Sequence, residues 1–165
     1  KRLVDEHVLI KRLLALIPRF VSSVDLRSEK GADLARGGLK FIRTYADKYH
    51  HAKEEEILFK YFDESLDVIK TMLQDHVTGR GHVKAADKAL AARDGAAAAA
   101  CFIAYRELLT EHIKKEDEIL YPWMDRNLSL RQVGELFNKF NEADEKFDPA
   151  LIAECEAVVT GLEKI

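Results

Sequence analysis

Apolar residues recur at intervals of three and four positions along almost the whole 165-residue chain. This spacing is typical of amphipathic helices, and no segment alternates apolar and polar residues between turn signals as a strand would. Apolar residues make up 47% of the chain, and the chain contains only three prolines, so a packed core is expected. The pattern predicts an all-α fold in a single domain spanning residues 1–165.

Breaks in the pattern divide the chain into four long helices and two shorter ones. We expect an up-down four-helix bundle over about residues 1–125 and a helical extension over about 129–165. Pro122 is expected to end the fourth helix, and Ser129 and Asp148-Pro149 are expected to begin the last two. The predicted ranges are 3–21, 32–62, 66–92, 96–122, 129–140 and a segment from 148 onward, with 22–31 as a loop.

Charge and hydropathy exclude several classes of partner. The net charge is −3 with acids and bases interspersed, so nucleic acid is not expected as a partner. No apolar run reaches the roughly 18–20 residues of a membrane span, and the charged first segment is unlike a signal peptide. A cytoplasmic protein is therefore expected. Cys101 and Cys155 lack the spacing of a metal or redox motif and are expected to be buried apolar residues.

Two helices share a motif in which a histidine precedes a glutamate by four residues. The second helix contains HHAKEEEILF and the fourth contains EHIKKEDEILYPW. Residues four apart lie on one face of an α-helix, so such a pair can bind one cation. The stripe of His50 and Glu54 is more apolar than that of His51 and Glu55, which favours the first pair as buried ligands. On the second helix Lys53 is then expected on the solvent face.

In the fourth helix, His112 and Glu116 share a stripe with Leu109, Leu120 and other apolar residues. Asp117 lies on a flank and is the second choice as a ligand. Helices one and three each add one histidine on an apolar stripe, and these two residues are His7 and His76.

Four buried imidazoles and two buried carboxylates would be costly without a compensating charge, and divalent cations supply that charge. This mixture of nitrogen and oxygen ligands without a thiolate suits iron or manganese, and zinc can substitute.

The segments DEHVLI, HHAKEEEILF, QDHVTGR and HIKKEDEILYP, in this order and spacing, resemble the hemerythrin-like (HHE cation-binding) domain family. The resemblance covers nearly the whole chain. It implies a four-helix bundle with two non-haem iron ions, joined by an oxo or hydroxo bridge and by two glutamates. The residues in the ligand positions would be His7, His50, Glu54, His76, His112 and Glu116.

The chain departs from the oxygen-carrying members of this family on the third helix. Those members have a second histidine four residues after the first, where this chain has Arg80 after His76. The departure argues against reversible oxygen carriage. His51 and His82 are expected to be supporting or surface residues, and aromatic residues such as Tyr105 are expected in the core.

The expected function is to bind, sense or react with O2, peroxide or nitric oxide at open iron positions. The alternative is an oxidoreductase, or an iron donor for repair of iron-sulfur clusters, and the resemblance identifies no catalytic residue. The apolar faces of the last two helices also suggest a homodimer.

Overall fold

The computed structural model describes all residues from Lys1 to Ile165, and they form helices joined by short loops, with no strand. The predicted all-α bundle is confirmed. The α-helical segments are α1 (Arg2–Ser23), α2 (Glu29–Phe41), α3 (Asp67–Ala91), α4 (Gly95–Lys115), α5 (Tyr121–Asn127), α6 (Leu130–Lys146) and α7 (Pro149–Leu162).

Two of these helices are prolonged by π-helical turns. After α2 the chain continues through the π-helical segments Ile42–His51 and Glu54–Leu58 and ends in a 3-10 turn, Phe59–Tyr61. After α4 the π-helical segment Glu116–Leu120 leads directly into α5. The long second and fourth helices pack with α1 and α3 into a closed ring of four, because α1 contacts α4 and the extended α2, and α3 contacts the same two.

The predicted helix ends were partly wrong. The loop at 22–31 is shorter than expected, because Ser28 caps α2 by accepting a hydrogen bond from the Gly31 amide. Pro122 does not end the fourth helix but lies in the first turn of α5, where a missing amide proton is tolerated after the π-helical turn. Helix α6 runs to Lys146 rather than to residue 140. The predicted caps at Ser129 and Asp148 are both present.

The hydrophobic core consists of two clusters separated by a polar layer. Along α1, Leu3 belongs to the smaller cluster and Ile10 to the larger, with His7 between them. Met72 and Val83 flank His76 on α3 in the same way. The histidines therefore lie inside the bundle, between two apolar layers that exclude water from them.

The C-terminal extension covers one side of the bundle. Cys155, Val159 and Leu162 of α7 are buried against α1 and α2. Leu136 of α6 is buried, whereas Phe137 is 58% exposed. Of the two cysteines expected to be buried, Cys155 is buried and Cys101 is half-buried. None of the helices combines the length and the apolar character that a membrane crossing requires.

Candidate metal site

The π-helical turns bring the histidine-glutamate motifs into the bundle. In a π-helical turn the backbone bonds run from residue i to i+5, so each turn holds more residues than an α-helical turn and the facing residues change. His50 and His51 end the first such segment and both are buried, at 1% and 5% exposure. Glu54 and Glu116 each begin one, and both are fully buried. Segments of this kind occur frequently at functional sites.

Seven buried side chains form two adjacent groups inside the bundle. In each group the potential ligand atoms lie within 4.8 Å of one another. The three-residue group is His7, His50 and Glu116, and the four-residue group is His51, Glu54, His76 and His112. The structure thus brings together all six residues selected from the sequence and adds His51. His82 is half-buried on α3 and belongs to neither group.

The two glutamates lie between the groups. Glu116 places Oε2 3.3 Å from His7 Nε2 and Oε1 3.1 Å from His112 Nε2. Glu54 Oε2 lies 3.4 Å from His76 Nε2 and 3.7 Å from His50 Nε2. Each carboxylate therefore contacts imidazole nitrogens of both groups, as a ligand shared by two neighbouring cations would.

The distances between the inward Nε2 atoms match those expected for two histidines that bind the same cation. His7 Nε2 lies 2.9 Å from His50 Nε2, and His76 Nε2 lies 3.1 Å from His112 Nε2. Two nitrogen atoms bound at right angles to one cation, each about 2.1 Å from it, are about 3 Å apart. Glu54 Oε2 and both Glu116 carboxylate oxygens are buried without a hydrogen-bond partner, which is costly for a carboxylate unless a cation compensates.

Each of the four predicted histidines is held from outside by a carboxylate. The Nδ1 contacts are His7 with Asp117 at 2.8 Å, His50 with Glu6 at 2.9 Å, His76 with Glu55 at 2.7 Å and His112 with Asp75 at 3.3 Å. An ionised carboxylate only accepts hydrogen bonds, so Nδ1 carries a proton and the neutral form of each imidazole has its lone pair on the inward Nε2. Histidines that bind metals are oriented in this way. Asp117 thus supports His7 from outside and lies in neither ligand group.

Burial and neighbouring charges set the protonation of these groups. Burial lowers the pKa of His50 to about 3, so this imidazole is neutral. Burial also disfavours the charged form of His76, but the neighbouring carboxylates of Glu54 and Glu55 outweigh it and raise the pKa to about 9. Burial, followed by the negative charge of Glu54, raises the pKa of Glu116 well above its ordinary value. A cation binding here would therefore displace protons.

Tyr121 is a site residue that the sequence interpretation missed. Its buried hydroxyl donates a hydrogen bond to Glu54 Oε1, and its ring stacks on His7 with centroids 5.7 Å apart. The bond holds one carboxylate oxygen of Glu54 and leaves the other, Oε2, beside the imidazoles of His50 and His76. Tyr121 follows Glu116 by five residues, which is the hydrogen-bond spacing of a π-helical turn and would have been the available signal.

The prediction that Lys53 faces solvent was wrong. Its side chain is 3% exposed, and Nζ donates hydrogen bonds to Glu6 Oε1 at 2.5 Å and to Asp144 Oδ1 at 2.8 Å. The residue is turned inward because it lies between the two π-helical segments of the second helix. Glu6 also accepts the His50 hydrogen bond, so an ion-pair chain connects α6 to the three-residue group.

A surface cavity of about 280 Å³ reaches the four-residue group. His51, His76 and Tyr105 lie on its inner wall, and Arg43, Arg80 and Lys84 are among the residues around it. The cavity is a route by which a cation or a small molecule could reach the buried imidazoles.

The fold and the site define a helical-bundle protein whose buried histidines and glutamates could hold metal cations. The family model of the hemerythrin HHE cation binding domain matches residues 1–124, which includes every residue of both groups. The chain belongs to this family. Comparison with curated proteins and comparison with solved structures each gave no significant match.

Proposed function

We propose that the chain is a non-haem di-iron protein whose ligands include His7, His50, Glu54, His76, His112 and Glu116. The main support is the position of the two buried glutamates, each of which lies beside imidazoles of both groups. The carboxylate oxygens nearest the imidazoles have no hydrogen-bond partner. Family membership supports cation binding. The nitrogen and oxygen donors favour iron, and manganese or zinc are substitutes.

The proposed activity is binding, sensing or reaction of O2, peroxide or nitric oxide. Two bound irons would supply redox chemistry and coordination positions for a small molecule. The chain itself orients the imidazoles through the outer carboxylates, and the Tyr121 hydroxyl fixes Glu54. The apolar layers around Ile10 and Met72 keep water away, and the cavity at Tyr105 leaves access for a small molecule.

Metal analysis and optical spectra test the proposal. After anaerobic addition of ferrous iron and then air, we expect about two irons per chain and new absorption bands. The double variant His112→Ala with Glu116→Ala should lose metal and melt at a lower temperature, because binding stabilises the folded state. His82→Ala is the matched control and should keep both metals. Full occupancy in the double variant would refute the ligand assignment.

The same preparation separates a binding protein from the alternative of an enzyme or iron donor. A stable spectrum that changes reversibly with O2 or nitric oxide supports binding or sensing. Rapid consumption of peroxide or nitric oxide supports an oxidoreductase. Transfer of iron to an apo iron-sulfur protein supports an iron donor.

A further inference from the structure

His51 lies inside the bundle, although its position on a regular α-helix would place it on a less apolar face than His50. Its side chain is 6% exposed, and its ring stacks on His76 with centroids 3.9 Å apart and planes 17° apart. It also contacts the His112 ring edge to face at 5.9 Å. A ligand nitrogen of His51 lies within 4.8 Å of the ligand atoms of Glu54, His76 and His112. The residue therefore shares the interior of the four-residue group.

His51 also has a carboxylate behind its ring, at a longer distance than the other four buried histidines have. Its Nδ1 lies 3.6 Å from Asp47 Oδ1, whereas the other Nδ1 atoms lie 2.7–3.3 Å from their carboxylates. The Asp47 carboxylate favours the proton on the nearer nitrogen, Nδ1, which leaves Nε2 as the free donor atom.

Arg80 strengthens this arrangement. Its guanidinium donates to Asp47 Oδ1 at 2.8 Å and to Glu55 Oε1 at 2.7 Å. It thereby fixes the carboxylates behind His51 and His76 together. Such supporting bonds orient the ligands of metal sites. Arg80 occupies the third-helix position where a fifth histidine is missing, and here it supports a histidine supplied by the second helix.

We infer that His51 is a seventh metal ligand, which binds through Nε2 at the four-residue group. The inference rests on the proposed two-metal site. It makes the two positions unequal, because one has three imidazoles and the other, with His7 and His50, has two. Metal should therefore bind in two steps of different affinity.

The variant His51→Phe tests the inference, because it keeps a ring that can stack on His76 and removes the donor nitrogens. Loss of an outer-shell partner costs about 10–100-fold in metal affinity, so loss of a ligand should cost at least about 100-fold. The titration uses Co²⁺ against a chelator, with the visible absorption intensity reporting the coordination number. We expect one site weakened and the other retained, and the retained site also shows that the variant folds.

His82→Phe is the matched control and should titrate like the unmodified protein. If the unmodified protein binds two Co²⁺ and His51→Phe gives the same affinities and spectrum, the assignment of His51 is overturned and the two-metal site stands. If the unmodified protein binds no metal, the proposed function itself fails. If His51→Phe loses both sites while its helical circular dichroism is unchanged, His51 does not belong to one position alone and the inference is again overturned.

Discussion

The hydrogen bond from Tyr121 to Glu54 can be tested by Tyr121→Phe, which removes one oxygen and keeps the ring. The acceptor is ionised, because the surrounding imidazoles, chiefly His50 and His76, outweigh burial and lower the pKa of Glu54. A hydrogen bond to a charged group contributes about 1.5–3 kcal/mol, and its loss leaves a buried carboxylate oxygen without a partner. For a chain of this size that corresponds to a melting temperature roughly 3–12 °C lower.

Tyr105→Phe is the matched control. Its hydroxyl is buried and has no hydrogen-bond partner, so its removal should be neutral or should stabilise the fold by up to about 2 kcal/mol. Both variants are compared by thermal circular dichroism at equal metal content. If Tyr121→Phe melts no lower than Tyr105→Phe, the Tyr121 bond contributes nothing to stability and the reasoning is wrong.

Three further predictions concern pH and local backbone structure. Burial lowers the pKa values of His50 and His51 to about 3, whereas burial raises that of Glu116. The carboxyl opposes the histidines down to its ordinary pKa of about 4.5, so metal-free protein should lose stability mainly as the pH falls from about 4.5 to 3, by up to about 1.4 kcal/mol per pH unit for each histidine; thermal melts across pH measure this. Gly31→Ala should cost about 1–3 kcal/mol, because its Cβ would lie 2.1 Å from a backbone oxygen, whereas Gly81→Ala, with open space around it, should stabilise α3 by about 0.5–1 kcal/mol in the same melts. Ser129→Ala should cost about 1 kcal/mol by removing the capping box of α6, which urea unfolding would show, and an unchanged midpoint would contradict it.

The helical class, the bundle and much of the candidate site could be predicted from the sequence alone. Helical periodicity and the caps at Ser129 and Asp148 depend on local interactions, which a sequence shows directly. The histidine-glutamate pairs are also local, because residues four apart face the same way in most helical turns. The sequence therefore identified the six residues proposed as ligands, all of which the structure places in the two groups.

The burial of His51, Lys53 and Tyr121 inside the bundle could be seen only in the folded chain. The π-helical turns change which residues face inward. A helical projection at 100° per residue therefore does not show that His51 and Lys53 are buried. The carboxylates that hold the histidines from outside could not be predicted either, because a pair such as Asp117 and His7 is separated by 110 residues in the sequence. Helix packing sets such pairs, and periodicity within one helix carries no information about them.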